Sequence, residues 1–219
     1  MIATTLDPAG TGPTVGTSAR RHATVPTALG EVTLVVEGDA LVGLYYAEHR
    51  PEPDRAAFGR AVEPSEDGTL ASAAQQVADY VAGSRTTFDL RLRAGGSECA
   101  RQVWDLIAAV PRGQTTTYAA LGRAVGVGPR AAGQFVARNP LCLVVPCHRV
   151  VASDGRLTGY AGGVDRKRRL LELEGAVPNY PGGTTTAQTA GTGPAGPGGP
   201  EGTEKNPGSG NPARPEASG

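Results

Sequence analysis

Apolar positions fall into blocks along the chain, and the spacing within each block predicts a different element. Val32-Thr33-Leu34-Val35-Val36 and Leu41-Val42-Gly43-Leu44-Tyr45-Tyr46 flank Glu37-Gly38-Asp39-Ala40 and read as two β-strands joined by a turn. A Pro- and charge-rich stretch (50–68) follows. Residues 70–82 then place Leu70, Ala73, Ala74, Val77 and Val81 on one helical stripe, with Gly83 as the stop. Residues 87–92 return to strand alternation, with Phe88, Leu90 and Leu92 opposite Asp89 and Arg91. Beyond residue 97 helical spacing dominates: Val103, Trp104, Ile107 and Ala108 form a stripe broken at Pro111. A Thr of Thr115-Thr116-Thr117 can cap a helix over 118–125, and Gly126 ends it. Pro129 can open another helix running to about Arg138. The apolar run from Leu141 to Val145 predicts a strand that delivers Cys147 and His148.

These elements imply an α+β fold. A small N-terminal α/β domain with antiparallel strands is expected over 21–96, and a mainly helical C-terminal domain containing a helix-turn-helix over 97–180. Residues 1–20 are expected to form a flexible N-terminus. In 181–219, 18 of 39 residues are Gly or Pro and alanine is the only hydrophobic type, so a disordered tail is expected. Such a stretch cannot bury enough apolar surface to offset its ordering entropy.

Composition removes several function classes. No apolar run approaches the roughly 18 residues of a membrane helix, so no membrane association is expected. Three Cys in 219 residues argue against a disulfide-stapled secreted scaffold, and no signal-peptide pattern opens the chain, so a cytoplasmic location is expected. Lys+Arg 21 balances Asp+Glu 21, which taken alone argues against nucleic-acid binding. The balance hides a partition, however: residues 1–96 hold 8 basic and 12 acidic side chains, and residues 97–180 hold 11 and 6. The basic third is also the third with the helix-turn-helix spacing. That spacing fits an ordinary helical hairpin as well as a DNA-binding one. On its second helix Arg130 lies near the start and Arg138 near the end, while the small Ala131, Ala132 and Gly133 would let the backbone approach a partner closely.

Candidate chemistry lies in residues 139–151, Asn-Pro-Leu-Cys-Leu-Val-Val-Pro-Cys-His-Arg-Val-Val. A free thiol is only a few per cent ionised at neutral pH, so a nucleophilic Cys147 needs a base or a positive field. Neighbours on an extended chain point to opposite sides, so His148 would need a bend or a bridging water to take the thiol proton, and a third group to orient it. The alternative is that Cys147 simply packs in a buried strand, as Cys142 is expected to do. A Cys142–Cys147 disulfide is conceivable but does not suit a reducing compartment. Cys142 and Cys147 are five apart, and His22 and His49 lie in the other block. That is no zinc spacing, so no metal and no cofactor are expected, and His49 reads as a loop or surface residue.

Pro146-Cys147-His148-Arg149-Val150, preceded by Asn139-Pro140 and followed by Thr158-Gly159-Tyr160-Ala161-Gly162-Gly163, resembles the active-site region of the O6-alkylguanine-DNA alkyltransferases (methylated-DNA–protein-cysteine methyltransferases). The resemblance runs from about 24 to 177 and is tightest over 99–175. It implies direct repair of DNA, with one-way transfer of an alkyl group from O6 of guanine, and more weakly O4 of thymine, to the protein's own cysteine. Cys147 matches the acceptor, His148 the residue that activates it through a water, and Glu174 the carboxylate that orients the imidazole. Asn139 matches the residue that braces the active-site turns, and Tyr118 the phenol that donates a proton to the leaving guanine. Arg130 matches the arginine that enters the stack when the nucleotide is flipped out. The second helix of the pair, with Ala131, Ala132, Gly133 and Arg138, is then expected in the minor groove of double-stranded DNA. Val150, Tyr160, Ala161 and Gly162 would line the guanine pocket, where several relatives carry Ser in place of Ala161. Arg166-Lys167-Arg168-Arg169 fits a solvated basic face or a phosphate contact. A monomer is expected. A non-enzymatic lesion binder is the alternative reading; those relatives generally replace the acceptor Cys, which this chain keeps.

Overall fold

The computed structural model describes residues 19–176, so the expected 181–219 tail and most of the expected 1–20 segment lie outside the described residues. The first half is built on a four-stranded sheet of β1 (Arg21–Val25), β2 (Val32–Glu37), β3 (Ala40–Tyr46) and β4 (Arg60–Ala61), in the order β3-β2-β1-β4. The β2–β3 hairpin follows from the alternation of residues 32–46, and Gly38 supplies the positive φ (64°) that its turn requires. The sequence reading missed β1 and β4. The first is five residues whose alternation is limited to Ala23 and Val25 about the exposed Thr24, and the second is two exposed residues paired parallel to β1.

Helix α1 (Gly68–Val81) lays Leu70, Ala73, Val77 and Tyr80 against the sheet. Asp67 opens it, accepting from the Thr69 and Leu70 amides while pairing with Arg21 of β1. Residues 87–92 keep the predicted burial alternation but form no strand. Only a bridge from Leu92 to Leu41 of β3 is made, through Leu41 N–Arg91 O (2.8 Å) and Arg93 N–Leu41 O (3.0 Å). Farther along the same edge, Leu44 N donates to Pro140 O (2.7 Å). The outer edge of β3 is thus shared by two segments, one of them leading directly to Cys147.

The second half contains α2 (Glu98–Ala108), β5 (Thr116–Thr117), α3 (Tyr118–Ala124), α4 (Pro129–Ala137), β6 (Val150–Val151) and α5 (Val164–Glu174). Ser97 caps α2 and Thr117 caps α3. Helices α3 and α4 form the expected helix-turn-helix. Gly126 takes φ 72°, Val127 N returns to Gly122 O (2.8 Å), and a Cβ on Gly122 would lie 2.6 Å from Val127 O. One hydrophobic core runs from the sheet (Leu34, Leu44, Tyr46) through α1 to Trp104, Ile107, Leu121, Leu141 and Val150.

The expected strand over 141–145 is not formed. Residues 141–145 make a tight turn, with Val145 N bonded to Leu141 O (2.8 Å), Val144 N to Cys142 O (2.9 Å) and Leu143 at φ 73°. A short continuous apolar run fits a buried turn as well as a strand. Here Pro140 is held on the β3 edge, and that attachment decides between them.

Candidate active site

Pro146 leads into a single 3-10 turn, Cys147–Arg149, followed by β6. Successive side chains of a 3-10 turn project about 120° apart, so the turn supplies the bend that an extended chain lacked. Cys147 faces one way, and His148 and Arg149 both reach α5. Asn139 locks the entry to this turn: its Nδ2 donates to Val145 O (2.8 Å) and its Oδ1 accepts from Leu141 N (3.0 Å). β5 pairs with β6 in parallel, Thr116 with Val150 and Thr117 with Val151, which sets the start of α3 beside the segment leaving His148.

Glu174 is the centre of the buried polar cluster. Its carboxylate accepts from His148 Nε2 (2.6 Å), from Arg149 Nε (2.8 Å) and Nη2 (3.1 Å), and from the Tyr80 hydroxyl (2.5 Å). Burial alone would raise its pKa, but the bonds from His148, Arg149 and Tyr80 outweigh burial and hold it well below the usual carboxylate range. Gly175, at φ 74°, ends α5, with Ala176 N bonded to Leu171 O (2.9 Å), and so fixes where Glu174 falls. Burial lowers the pKa of His148, which is 0% exposed. The neutral imidazole then places its proton on Nε2, toward Glu174, and leaves Nδ1 as a buried lone pair bonded to no described residue.

The Cys147 thiol is buried, with Sγ 3.6 Å from Sγ of Cys142; both cysteines are free. The hydrogen bond from Cys142 lowers the pKa of Cys147. Burial opposes that shift, while Asn139 and the Lys167 charge assist it. Cys142, expected only to pack, therefore also touches the Cys147 sulfur.

Lys167 fits neither expectation for the 166–169 run. It is 0% exposed, and its ammonium donates to Val150 O (2.6 Å), Thr158 O (2.7 Å) and Gly159 O (3.3 Å). Burial lowers its pKa to about 8, and it ties β6 to the loop that precedes Tyr160. Arg166 reaches Leu29 O (2.6 Å) and Gly162 O (2.8 Å), and Arg169 reaches Ala28 O (3.0 Å). Lys167 therefore faces inward, and Arg166 and Arg169 reach toward the first half of the chain. Lys167, Leu170, Leu171 and Glu174 share one helical stripe, and that spacing was the available signal. Arg149 and Tyr80 were missed too, although an Arg enclosed by apolar residues needs a buried partner.

The remaining candidates do not bond to Glu174. The Tyr118 hydroxyl donates to Thr158 O (3.1 Å) and Gly159 O (3.3 Å). Val150 and Ala161 are buried, and Tyr160 is half-buried with its ring edge-on to His148, centroids 6.3 Å apart. Gly162 is buried as well. On α4, Arg130 is exposed, and Ala131 and Gly133 are half-buried. Ala132 is 0% exposed and packs in the core with Val136. Its expected place at a partner's surface is therefore corrected, because it lies on the inward face. Arg138 lines a cleft of about 230 Å³ with Arg20, Tyr45 and His49. His49 is 4% exposed, a buried loop residue.

Residues 98–176 match the family model described as 6-O-methylguanine DNA methyltransferase, DNA binding domain. The methylated-DNA–protein-cysteine methyltransferase of Mycobacterium tuberculosis is 36% identical over 155 residues, covering 70% of this chain and 91% of that protein. This chain belongs to the methylated-DNA–protein-cysteine methyltransferase family. A second member, from Methanosarcina acetivorans, is 42% identical over 106 residues, covering 48% of this chain and 68% of that protein. The crystal structure of the M. tuberculosis family member OGT in complex with DNA superposes with a TM-score of 0.63 at 33% identity, covering 71% of this chain and 93% of that one. The methyltransferase structure from Methanococcus jannaschii gives 0.54 at 28% identity, covering 69% and 92%.

Proposed function

We propose that this chain repairs DNA by moving an alkyl group from O6 of guanine, and more weakly from O4 of thymine, onto Sγ of Cys147, one lesion per protein molecule. The observation that carries the reading is the relay Cys147-His148-Glu174: a buried thiol follows an Asn139-braced turn, and the next residue is an imidazole whose Nε2 is held by a carboxylate and whose Nδ1 is left as a base. The thiol proton passes to His148 Nδ1, directly or through water. The thiolate then attacks the alkyl carbon as the C–O6 bond breaks, forming the thioether. Guanine leaves as a neutral base when its ring nitrogen receives a proton from Tyr118, which its position beside the 158–160 loop supports. A neutral base is a better leaving group than its anion. The thioether is a poor leaving group, and the transfer stops there.

A buried sulfur cannot reach a stacked base, so the nucleotide must leave the duplex. Arg130, exposed at the start of α4, is the residue that fills the gap. The half-buried Ala131 and Gly133 beside it keep α4 slim enough for the minor groove and read few base edges. Val150, Tyr160, Ala161 and Gly162 hold the flipped guanine. The protein acts as a monomer on double-stranded DNA in the cytoplasm.

The test is the reduced protein mixed with a duplex carrying O6-methylguanine and digested for mass spectrometry. The Cys147 peptide is expected to gain one methyl in place of one hydrogen, in equal amount to the lesion lost. An unmodified Cys147 peptide, with the lesion still in the DNA, refutes the assignment.

A further inference from the structure

Three contacts bind the 160–162 loop to the N-terminal sheet, and the transfer chemistry uses none of them. Tyr46, the last residue of β3, is 1% exposed, and its hydroxyl lies 3.1 Å from the hydroxyl of Tyr160, with the two rings edge-on and centroids 5.8 Å apart. The loop backbone rests on the same ring: a Cβ added to Gly162 would fall 2.4 and 2.6 Å from two Tyr46 ring carbons. Just past β3, Arg50 N donates to Ala161 O (2.9 Å). The Arg166 guanidinium lies 5.0 Å from the Tyr46 ring centroid while bonding Gly162 O, which fixes ring and loop together.

Tyr160 is where this arrangement acts. Its ring is edge-on to both Tyr46 and His148, the residue next to the proposed acceptor. A phenol held at its hydroxyl is anchored at the tip, the point with the greatest leverage over ring tilt. From this geometry we propose that Tyr46 is a specificity-determining, positioning residue of the sheet. It pins Tyr160 and so limits the size of the alkyl group that Cys147 accepts. The inference rests on the reading that Cys147 is the acceptor and Tyr160 a wall of its pocket. Tyr46 acts through the Tyr160 hydroxyl and the backbone of Gly162.

The experiment compares the full-length protein with Tyr46→Phe, Tyr160→Phe and the double variant. Single-turnover rates are read on duplexes carrying O6-methylguanine and O6-benzylguanine. Phe keeps the ring under Gly162 and removes only the hydroxyl bond. The readout is the benzyl-to-methyl rate ratio, which is insensitive to the fraction of protein folded, because both substrates meet the same molecules. Tyr46→Phe is expected to raise the ratio about fivefold, the equivalent of one neutral hydrogen bond. Tyr160→Phe is expected to raise it similarly, and the double variant no further, since all three lose the same bond. A ratio equal to that of the unsubstituted protein, or two effects that multiply in the double variant, overturns the proposal while leaving the acceptor assignment in place. Failure of the unsubstituted protein to transfer either group overturns the acceptor assignment, and the proposal with it.

Discussion

Glu174 holds four donated bonds in a site closed to water, so replacing it unbalances three neighbours at once. Glu174→Gln leaves the buried Arg149 charge without its counter-ion and puts an N–H donor where acceptors are needed. The expected cost is about 3 kcal/mol of stability, read as a fall in chemical-denaturation midpoint, with methyl transfer slower by about 10²-fold or more. The pH dependence has a definite sign. Because the Glu174 pKa is depressed in the folded state, its contribution is present above the unfolded carboxylate value of about 4.3 and is lost as pH falls toward the folded value. The lowered pKa of His148 adds to this loss below about 6.5, since the unfolded chain binds its proton first. Below about pH 4.3 the native protein should therefore lose stability more steeply than the Gln variant does, whereas the loss that begins near pH 6.5 comes from His148 and persists in the variant. At Cys142, removal of the thiol that donates to the acceptor should raise the Cys147 pKa. Cys142→Ala is expected to shift the pH–rate profile upward and slow transfer at neutral pH by no more than about fivefold, because S–H is a weak donor. An unchanged profile would show that Cys142 only packs.

At the scale of elements, the DNA engagement proposed for the α3–α4 pair can be tested apart from the chemistry. Arg130 is exposed at the start of α4, away from the Glu174 cluster. Arg130→Ala should therefore slow repair of a lesion within a duplex by an order of magnitude, about the scale of the unstacking cost left uncompensated. Reaction with free O6-benzylguanine base should change little. Equal losses on both substrates would move Arg130 from DNA handling to folding. The helices were readable in advance because each carries its own signals: Thr117 before α3, Gly126 after it, Pro129 opening α4, and apolar spacing in α1 and α2. The strands were only half readable. β2 and β3 carry long apolar runs, β1 offers only Ala23 and Val25 about Thr24, and β4 exists because β1 presents an edge, which no local pattern records. The same holds at the site. Cys147 and His148 announce themselves as neighbours, whereas Tyr80 and Tyr46 enter it across 94 and 114 residues of sequence.

For the whole molecule, two simple sums mislead. The basic excess of residues 97–180 overstates what DNA can feel: Arg149 and Lys167 are buried, Arg101 and Arg156 pair with Glu98 and Asp154, and Arg166 and Arg169 bind backbone of the first half. Arg123, Arg130 and Arg138 remain as exposed charges on or just beyond the two helices. Binding to undamaged DNA should accordingly be weak, with a shallow salt slope set by a few phosphate contacts. The other sum is the length matched by the family model. Residues 98–176 look self-sufficient by that measure, yet their core is completed by Leu44 and Tyr46, and their carboxylate by Tyr80. Expressed without residues 1–97, the segment is expected to show no cooperative thermal transition and no methyl transfer. A cooperative melt with retained transfer would show that its own core suffices.

The position of Glu174, on the last turn of α5, also gives the protein an order in time. The carboxylate that completes the relay lies 26 residues beyond His148, and α5 cannot dock until Gly175 and Ala176 have closed its end. A growing chain therefore carries an ordinary thiol, buried or exposed as folding proceeds, and the reactive one appears only with the finished fold. For a molecule that can be used once, late activation means that its single reaction is kept for a chain already able to bind DNA.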